Sequence, residues 1–216
     1  MTTRSSTSAR RALVVVNGDD VYEDIFTAAM ELPGLLGEAG FAATVGMGTG
    51  HLTAVPRQHA DLVVLYTAAG WFGTAAQREL ERRVEAGTGL IAIHASNVLA
   101  ADAPLADLIG SRYAGHGPRP HESRYRVNVD VGHPLVRGLQ PFEITHEHYV
   151  LDLRTPAHAV AWRAAGQRHE PLVHVRQKGA GRVCYVQFGH DMRSWGEPGV
   201  REIVRRAARW TVGEAP

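Results

Sequence analysis

His94 stands directly after Leu90-Ile91-Ala92-Ile93, a short apolar run preceded by Gly87-Thr88-Gly89 and followed by polar Ser96 and Asn97. Such a run reads as a strand covered on both faces of a parallel sheet. The imidazole therefore falls where strand gives way to loop, and in open α/β sheets ligands gather at the carboxyl ends of strands. A histidine there can act as base, acid or metal ligand near neutral pH, or it can simply hydrogen-bond a neighbouring loop. Three more polar groups follow apolar runs: Asn17-Gly18-Asp19-Asp20 after Val16, Thr67 after Tyr66, and Gly189-His190-Asp191 after Phe188. If those strands are parallel neighbours, their ends carry Asp19, His94 and His190 to one sheet edge, a set suited to proton transfer.

The histidines also cluster. His116, His121 and His133 lie in a loop-rich stretch, and His146-Glu147-His148 is a tight triplet. In a strand His146 and His148 share one face while Glu147 points to the other. One expectation is a divalent ion, zinc or manganese, bound by His116 with His146 or His148 near Glu147. The alternative is ordinary hydrogen-bonded histidines. No nucleotide cofactor is expected, because G-x-G-x-x-G is missing after the first strand. Gly46-Met47-Gly48-Thr49-Gly50 lacks the full spacing and a following helix signal. A nucleophile elbow would need Ser or Cys where His94 stands, and Ser96 is not in a G-x-S-x-G setting.

The elements that must position these groups alternate in the first half. A strand over Ala12–Val16 is followed by a helical pattern from about Val21 to Ala39, which Pro33-Gly34 should kink or divide. Strands over Phe41–Met47 and Asp61–Tyr66 follow. Then comes a helix capped by Thr74, with Gln77 completing a capping box and a surface pair Glu79–Arg83. The pattern is that of an α/β fold with a doubly wound, mostly parallel, flavodoxin-like sheet. The second half is richer in strands: Tyr125, Val127, Val129 and Val131 alternate with polar residues, and Lys178-Gly179-Ala180-Gly181 separates two arms of a hairpin. These add antiparallel strands. A last helix, about Gly199 to Val212, buries Val200, Ile203, Val204, Ala207, Ala208 and Thr211 and leaves its arginines solvated.

The chain has 216 residues, one cysteine and a net charge of +1. It can bury a real core, and no linker or repeat interrupts residues 12–213, so one domain is expected behind a polar, disordered tail over residues 1–11. The balanced charge implies no general attraction to nucleic acid or anionic lipid. Cys184, in an apolar run, reads as a buried thiol, which excludes a disulfide framework. No apolar run approaches the roughly 18 residues of a membrane span. Arg10-Arg11 precedes too short an apolar run for a twin-arginine signal, so a cytoplasmic location is expected.

Taken together, several motifs resemble those of the trehalose-utilisation (ThuA-like) family, which has a class I glutamine amidotransferase-like fold. They are Gly18 with Tyr22-Glu23, Gln77 through Gly89-Leu90-Ile91-Ala92-Ile93-His94-Ala95, Leu108 to Tyr113 with His116, and Val131-Gly132-His133-Pro134-Leu135. Glu147-His148-Tyr149 matches an Asp-Glu-x-Tyr element, and Gly179 to Val183 with Gly189-His190-Asp191 and Trp195 matches a C-terminal signature. The resemblance implies a site of His94, His116, Glu147 and His190, with Asp19 at the first strand end. Substrate contacts are expected from Asp20, Tyr22, Ser96, Arg112, Tyr149, Asp191 and Trp195. It also implies sugar metabolism, on glycosides oxidised at the 3-position by a partner sugar dehydrogenase. Two departures point to a different substrate or metal environment: His146 replaces an acidic residue, and Asp19-Asp20 stands where a histidine is common. The amidotransferase cysteine is absent, so ammonia production from glutamine is not expected.

The reading that follows is an enzyme acting on a keto-glycoside by acid–base elimination and hydration, or by isomerisation. His94 or Glu147 would be the base and His190 the acid, with a metal or an imidazolium polarising the carbonyl. A sugar- or metabolite-binding module without turnover and a small-molecule amide hydrolase are the alternatives. Self-association stays open.

Overall fold

The computed structural model describes residues 9–18, 21, 23–54, 59–68, 72–98, 104–154 and 156–216. Residues 1–8 of the tail expected over 1–11, and Asp19, Asp20 and Tyr22, lie outside the described residues. In chain order the first elements are β1 (Arg10–Asn17), α1 (Ile25–Glu38), β2 (Phe41–Met47), α2 (Gly50–Thr53), β3 (Leu62–Thr67), α3 (Thr74–Glu85) and β4 (Gly89–Ile93). A 3-10 turn, His94–Asn97, leads to α4 (Leu105–Ile109), β5 (Ser111–Gly115), β6 (Glu122–Val129), β7 (Phe142–Glu147) and β8 (Val150–Leu153). The chain closes with β9 (His158–Ala165), β10 (Arg168–Lys178), β11 (Gly181–Val186), α5 (Met192–Gly196) and α6 (Pro198–Thr211).

Nine strands form one sheet in the order β2-β1-β3-β4-β11-β10-β9-β6-β7, while β5 pairs only with β8. The run from β2 to β11 is parallel and the remainder antiparallel, as the change in patterning at mid-chain predicts. Alternation of side chains along the parallel strands builds two cores. Val14, Val16, Val64, Ile91, Cys184 and Val186 face α1 and α6, whose Leu32, Leu35, Leu36, Ile203 and Val204 cover them. Leu13, Val15, Leu65, Leu90 and Tyr185 face the other way, beneath Leu80 and Val84 of α3 and Leu108 of α4. Each fully buried leucine contributes about 1.5–3 kcal/mol. Among the described residues no helix is long and apolar enough to cross a membrane.

Several local expectations are corrected. β1 begins at Arg10, because Arg10 and Arg11 pair with Phe41 and Ala42 of β2. Helix α1 begins at Ile25, behind the Asp24 cap, and runs undivided through Pro33; burial of Leu32, Leu35 and Leu36 outweighs the hydrogen bond that proline removes. The cap of α3 is Gly73 and not Thr74, while Gln77 turns its amide to the carbonyl of Phe72. Glu79 and Arg83 are buried, with Arg83 also donating to the Leu52 carbonyl at 2.7 Å. β6 stops at Val129, and Val131 is exposed in the turn beyond it. A one-turn helix, α2, does follow the Gly46–Gly50 stretch. The α6 arginines are paired: Arg201 and Arg205 reach Glu31 and Glu38 of α1, and Arg206 reaches Glu202.

Candidate functional site

The carboxyl ends of β1, β3, β4 and β11 lie side by side, with Asn17 opposite Thr67, Tyr66 opposite Ile93, and Ile93 opposite Val186. At their centre the backbone of His94 has φ +47°, the one positive φ outside glycine among the described residues. That conformation costs on the order of 1–3 kcal/mol and persists only where neighbours enforce it. Three do so here. The Tyr185 hydroxyl donates to the His94 carbonyl at 3.0 Å, Nδ1 donates to the Gln187 carbonyl at 2.6 Å, and the Tyr149 ring stacks on the imidazole at 4.6 Å between centroids. The ring's Nε2 is thereby aimed at the sheet edge.

Around Nε2 the fold gathers three further groups. Glu23 lies just ahead of α1, where Asp24 caps the helix by accepting from the Thr27 backbone at 2.9 Å. Glu147 ends β7. His190 follows β11 through Gly189, whose φ of +127° and contacts with Ile93 and Trp195 leave no room for a Cβ. Glu23 Oε2 is 3.1 Å from His94 Nε2 and 3.0 Å from His190 Nδ1. Glu147 Oε2 lies 3.4 Å from His94 Nε2 and 3.5 Å from His190 Nδ1. These last two are ion-pair contacts without alignment, and Oε2 is buried with no hydrogen-bond partner. Glu147 Oε1 lies 2.8 Å from His116 Nε2, again an ion-pair contact without alignment. The Tyr149 hydroxyl is 3.2 Å from His94 Nε2 and 3.5 Å from Glu23 Oε1.

Exposure sorts the groups. His94 (0 %) and Glu23 (5 %) form the floor, whereas Glu147 (17 %), His190 (26 %) and His116 (32 %) reach the opening. Burial presses the His94 pKa down, but contacts with Glu147 and Glu23 more than offset it and raise it to about 9. Burial pushes Glu147 up, yet the close contact with His94 and its charge, then the charges of His190 and His116, bring it to about 2. Glu23 is likewise lowered: His190 and His94 outweigh its desolvation. His190 is raised, chiefly by its hydrogen bond to Glu23. The floor is thus an alternating array of carboxylates and imidazoles whose charges hold one another in place.

One ligand atom from each of Glu23, His94, Glu147 and His190 lies within 4.8 Å of the others. Two imidazole nitrogens and two carboxylate oxygens suit zinc or manganese, and the orphaned Oε2 of Glu147 is an atom such an ion would satisfy. The fit is therefore good, but not with the trio read from the triplet. His146 is buried against Phe188, its Nδ1 donating to the Glu147 carbonyl and its Nε2 facing the His190 amide; burial and the neighbouring His94 charge lower its pKa to about 3. His148 Nε2 is turned to the Ser123 hydroxyl at 2.7 Å. β7 ends at Glu147, so the alternation that would pair the two rings does not extend across them. His116 enters through Glu147.

Of the expected substrate contacts, Tyr149 is in the cluster. Ser96 is fully buried and ties the strand ends together, donating to Leu65 O at 2.9 Å and accepting from Thr67 N at 3.1 Å. Arg112 pairs with exposed Asp152, while its neighbour Tyr113 bonds His116 Nδ1. On a strand adjacent side chains take opposite faces, so the residue facing the site is Tyr113. Asp191 caps α5 and holds Arg193. Trp195 packs beside Tyr66, its Nε1 buried without a partner. His133 lies elsewhere, against Trp210. Glu23 and Tyr113 entered the sequence reading only inside family motifs and were given no site role, and Tyr185 and Gln187 were not singled out.

A sheet whose parallel strand ends converge on histidines and carboxylates defines an α/β protein with its site at the carboxyl edge. The family model described as trehalose utilisation (ThuA) matches residues 11–211, and the chain belongs to that carbohydrate-related family. Its fold is similar to that of a putative ThuA-like protein from Parabacteroides merdae ATCC 43184, with TM-score 0.76 and 18% identity over 96% of this chain and 92% of that one. A second putative ThuA-like protein, from Bacteroides uniformis ATCC 8492, gives TM-score 0.77 and 14% identity over 99% and 96% of the two chains. A β-galactosidase from Bacillus circulans sp. alkalophilus shares the fold at TM-score 0.64 and 11% identity, over 94% of this chain and 31% of that one. No curated protein matches the chain in sequence.

Proposed function

We propose that the protein is a carbohydrate-active enzyme that cleaves glycosides carrying a ketone at C3, by proton abstraction and elimination. The observation that carries this reading is Glu147, a carboxylate whose side chain is 17 % exposed at the opening, above a floor of buried His94 and Glu23. A C3 ketone acidifies the hydrogen on C2. Glu147 takes that proton, and the released electron pair forms a C1=C2 double bond as the C1–O bond to the aglycone breaks. His190 protonates the departing oxygen through its outer nitrogen, since Nδ1 is engaged by Glu23. Water adding at C1, with a proton returned to C2, completes hydrolysis. Reprotonation of the enolate before the aglycone leaves gives isomerisation instead.

Burial assigns His94 a supporting part: a fully buried ring cannot reach a sugar, but its charge steadies the ionised Glu147. A carboxylate kept ionised so far below neutral pH is a weak base, so the ketone oxygen must be strongly polarised. A divalent ion held by Glu23, His94 and His190 would supply that positive charge and leave Glu147 as the base. The ion requires His94 Nε2 and His190 Nδ1 to be unprotonated, whereas the ion-free site favours the charged form of both rings. The substrate would come from a sugar dehydrogenase. Ser96, with its hydroxyl committed on both sides, gives no support to a nucleophilic amide hydrolase.

The test uses 4-nitrophenyl 3-keto-glucosides of both anomeric forms, with metal-replete and chelator-treated protein. Release of 4-nitrophenolate, or deuterium incorporation at C2 from heavy water, is expected. Binding heat with neither event would leave a sugar-binding module in place of an enzyme. Loss of turnover on chelation and its return with zinc or manganese would select the ion-bound version.

A further inference from the structure

Glu147 is carried to the floor from far across the sheet. Five strand-to-strand steps separate β4 from β7, and at about 4.8 Å each a flat sheet would hold them roughly 24 Å apart, a gap that two side chains cannot span. Yet Glu147 Oε2 is 3.4 Å from His94 Nε2, so the antiparallel arm curls over the carboxyl edge. Among the described residues β6 pairs with β9 at Asn128 and Val129 and no further along. The β6–β7 pair is thus joined to the sheet at one end, and its other end sets Glu122 opposite Glu147. Like charges directly opposite one another on paired strands are unfavourable. Arg193 of α5 meets that end: its Nη1 donates to Glu122 Oε1 at 2.9 Å and its Nη2 to Oε2. The same guanidinium donates through Nε to Asp191 Oδ2 at 2.8 Å, and Asp191 directly follows His190.

We propose that Arg193 is a positioning residue, a latch between the loop after β11 and the open end of the β6–β7 pair that sets the distance from His190 to Glu147. Each of those two residues lies one step from a carboxylate that the guanidinium holds: along the chain for His190, across the strand pair for Glu147. β7 has attachments of its own, with Gln187 Nε2 donating to the Glu147 carbonyl at 3.3 Å and the His190 amide donating to His146 Nε2 at 3.4 Å. Both are long, and neither reaches β6. Arg193 supplies short, charge-assisted bonds, two of them side by side on Glu122, a geometry that fixes direction as well as distance. A lysine would hold either carboxylate as a point charge but could not span both in that fork. Exposed ion pairs contribute little to stability, so what Arg193 supplies is alignment. The consequence for turnover rests on the reading of Glu147 as base and His190 as acid; the latch itself does not.

The experiment compares wild type, Arg193→Gln, Arg193→Lys and Glu122→Ala by hydrogen exchange and by turnover of a 4-nitrophenyl 3-keto-glucoside. In Arg193→Gln the amides of residues 122–127 and 142–147 should exchange about tenfold faster, while those of β1, β3 and β4 stay within about twofold of wild type. Its kcat should fall about 10- to 100-fold, the range seen when an orienting partner is lost, with KM within about twofold. Arg193→Lys keeps the charge without the fork and should resemble Arg193→Gln more than wild type. Glu122→Ala should match Arg193→Gln, and the two together should be no slower than either alone. Unchanged exchange in β6 and β7, faster exchange spread equally over β1, β3 and β4, an unchanged kcat beside an active wild type, wild-type behaviour in Arg193→Lys, or multiplicative losses in the double variant would each overturn the proposal. A wild type without turnover would instead remove the enzymatic reading, and hydrogen exchange would decide the latch by itself.

Discussion

Deleting the His94 ring leaves buried Glu23 and partly buried Glu147 without the partner that faces both. Removing one member of a buried charged set costs about 3–5 kcal/mol, so His94→Ala should lose that much stability in urea titrations as well as all turnover. A loss below about 1 kcal/mol would show that the floor is not charged as described. In metal-free protein the same pair sets the pH response. The His94 pKa is raised from 6.5 to about 9, so its contribution is full below 6.5 and fades as pH climbs through 9. Glu147 is lowered from 4.5 to about 2, so its contribution is full above 4.5 and fades as pH falls toward 2. The melting temperature should therefore sag above pH 6.5, and His94→Gln should abolish that alkaline limb. Zinc or manganese, if bound by the two rings, should bind more tightly at pH 8 than at pH 6 because protons must leave; equal affinity would exclude imidazole ligation. At this scale the sequence was legible where a residue directly ends an apolar run, as His94 does. It was not where the fold chooses between neighbours, Tyr113 over Arg112 by strand facing, nor for Glu23, which is placed by where the Asp24 cap starts α1.

Elements were the most legible layer, because apolar period and glycine punctuation act locally. Alternation cannot say how deeply a helix sinks, which is why Glu79 and Arg83 read as a surface pair. Their ring of contacts, from Arg82 to the Leu52 carbonyl, joins α3 to α2. Glu79→Ala should cost about 3 kcal/mol by withdrawing the carboxylate from a buried guanidinium, measured by chemical denaturation; an effect within about 0.5 kcal/mol would return the pair to the surface. Gly189 serves two elements at once, ending β11 and letting His190 turn inward. A methyl there would lie 2.9 Å from Ile93 and demand a left-handed backbone. Gly189→Ala should thus impair turnover more than Gly138→Ala, where φ is also positive at +76° but nothing stands within 4 Å. Equal effects would reduce Gly189 to an ordinary turn.

Across the whole molecule, the parallel half was legible because alternating strands and helices admit few arrangements. The antiparallel half was legible as strands but not as an order, since pairing β6 with both β7 and β9 depends on contacts far apart in sequence. That is also why the metal trio was misplaced: the facing of the His146–His148 stretch depends on where β7 stops, which local spacing does not encode. The histidine–carboxylate floor draws one side chain each from the start of α1, the end of β4, the end of β7 and the loop after β11. Glu23 and His190, in direct contact, are 167 positions apart along the chain. Synthesis at about 5–20 residues per second separates their emergence by on the order of ten to thirty seconds. For that interval the nascent chain already carries its first carboxylate but not the rest of the cluster, so a product truncated before His190 cannot assemble the four-residue floor.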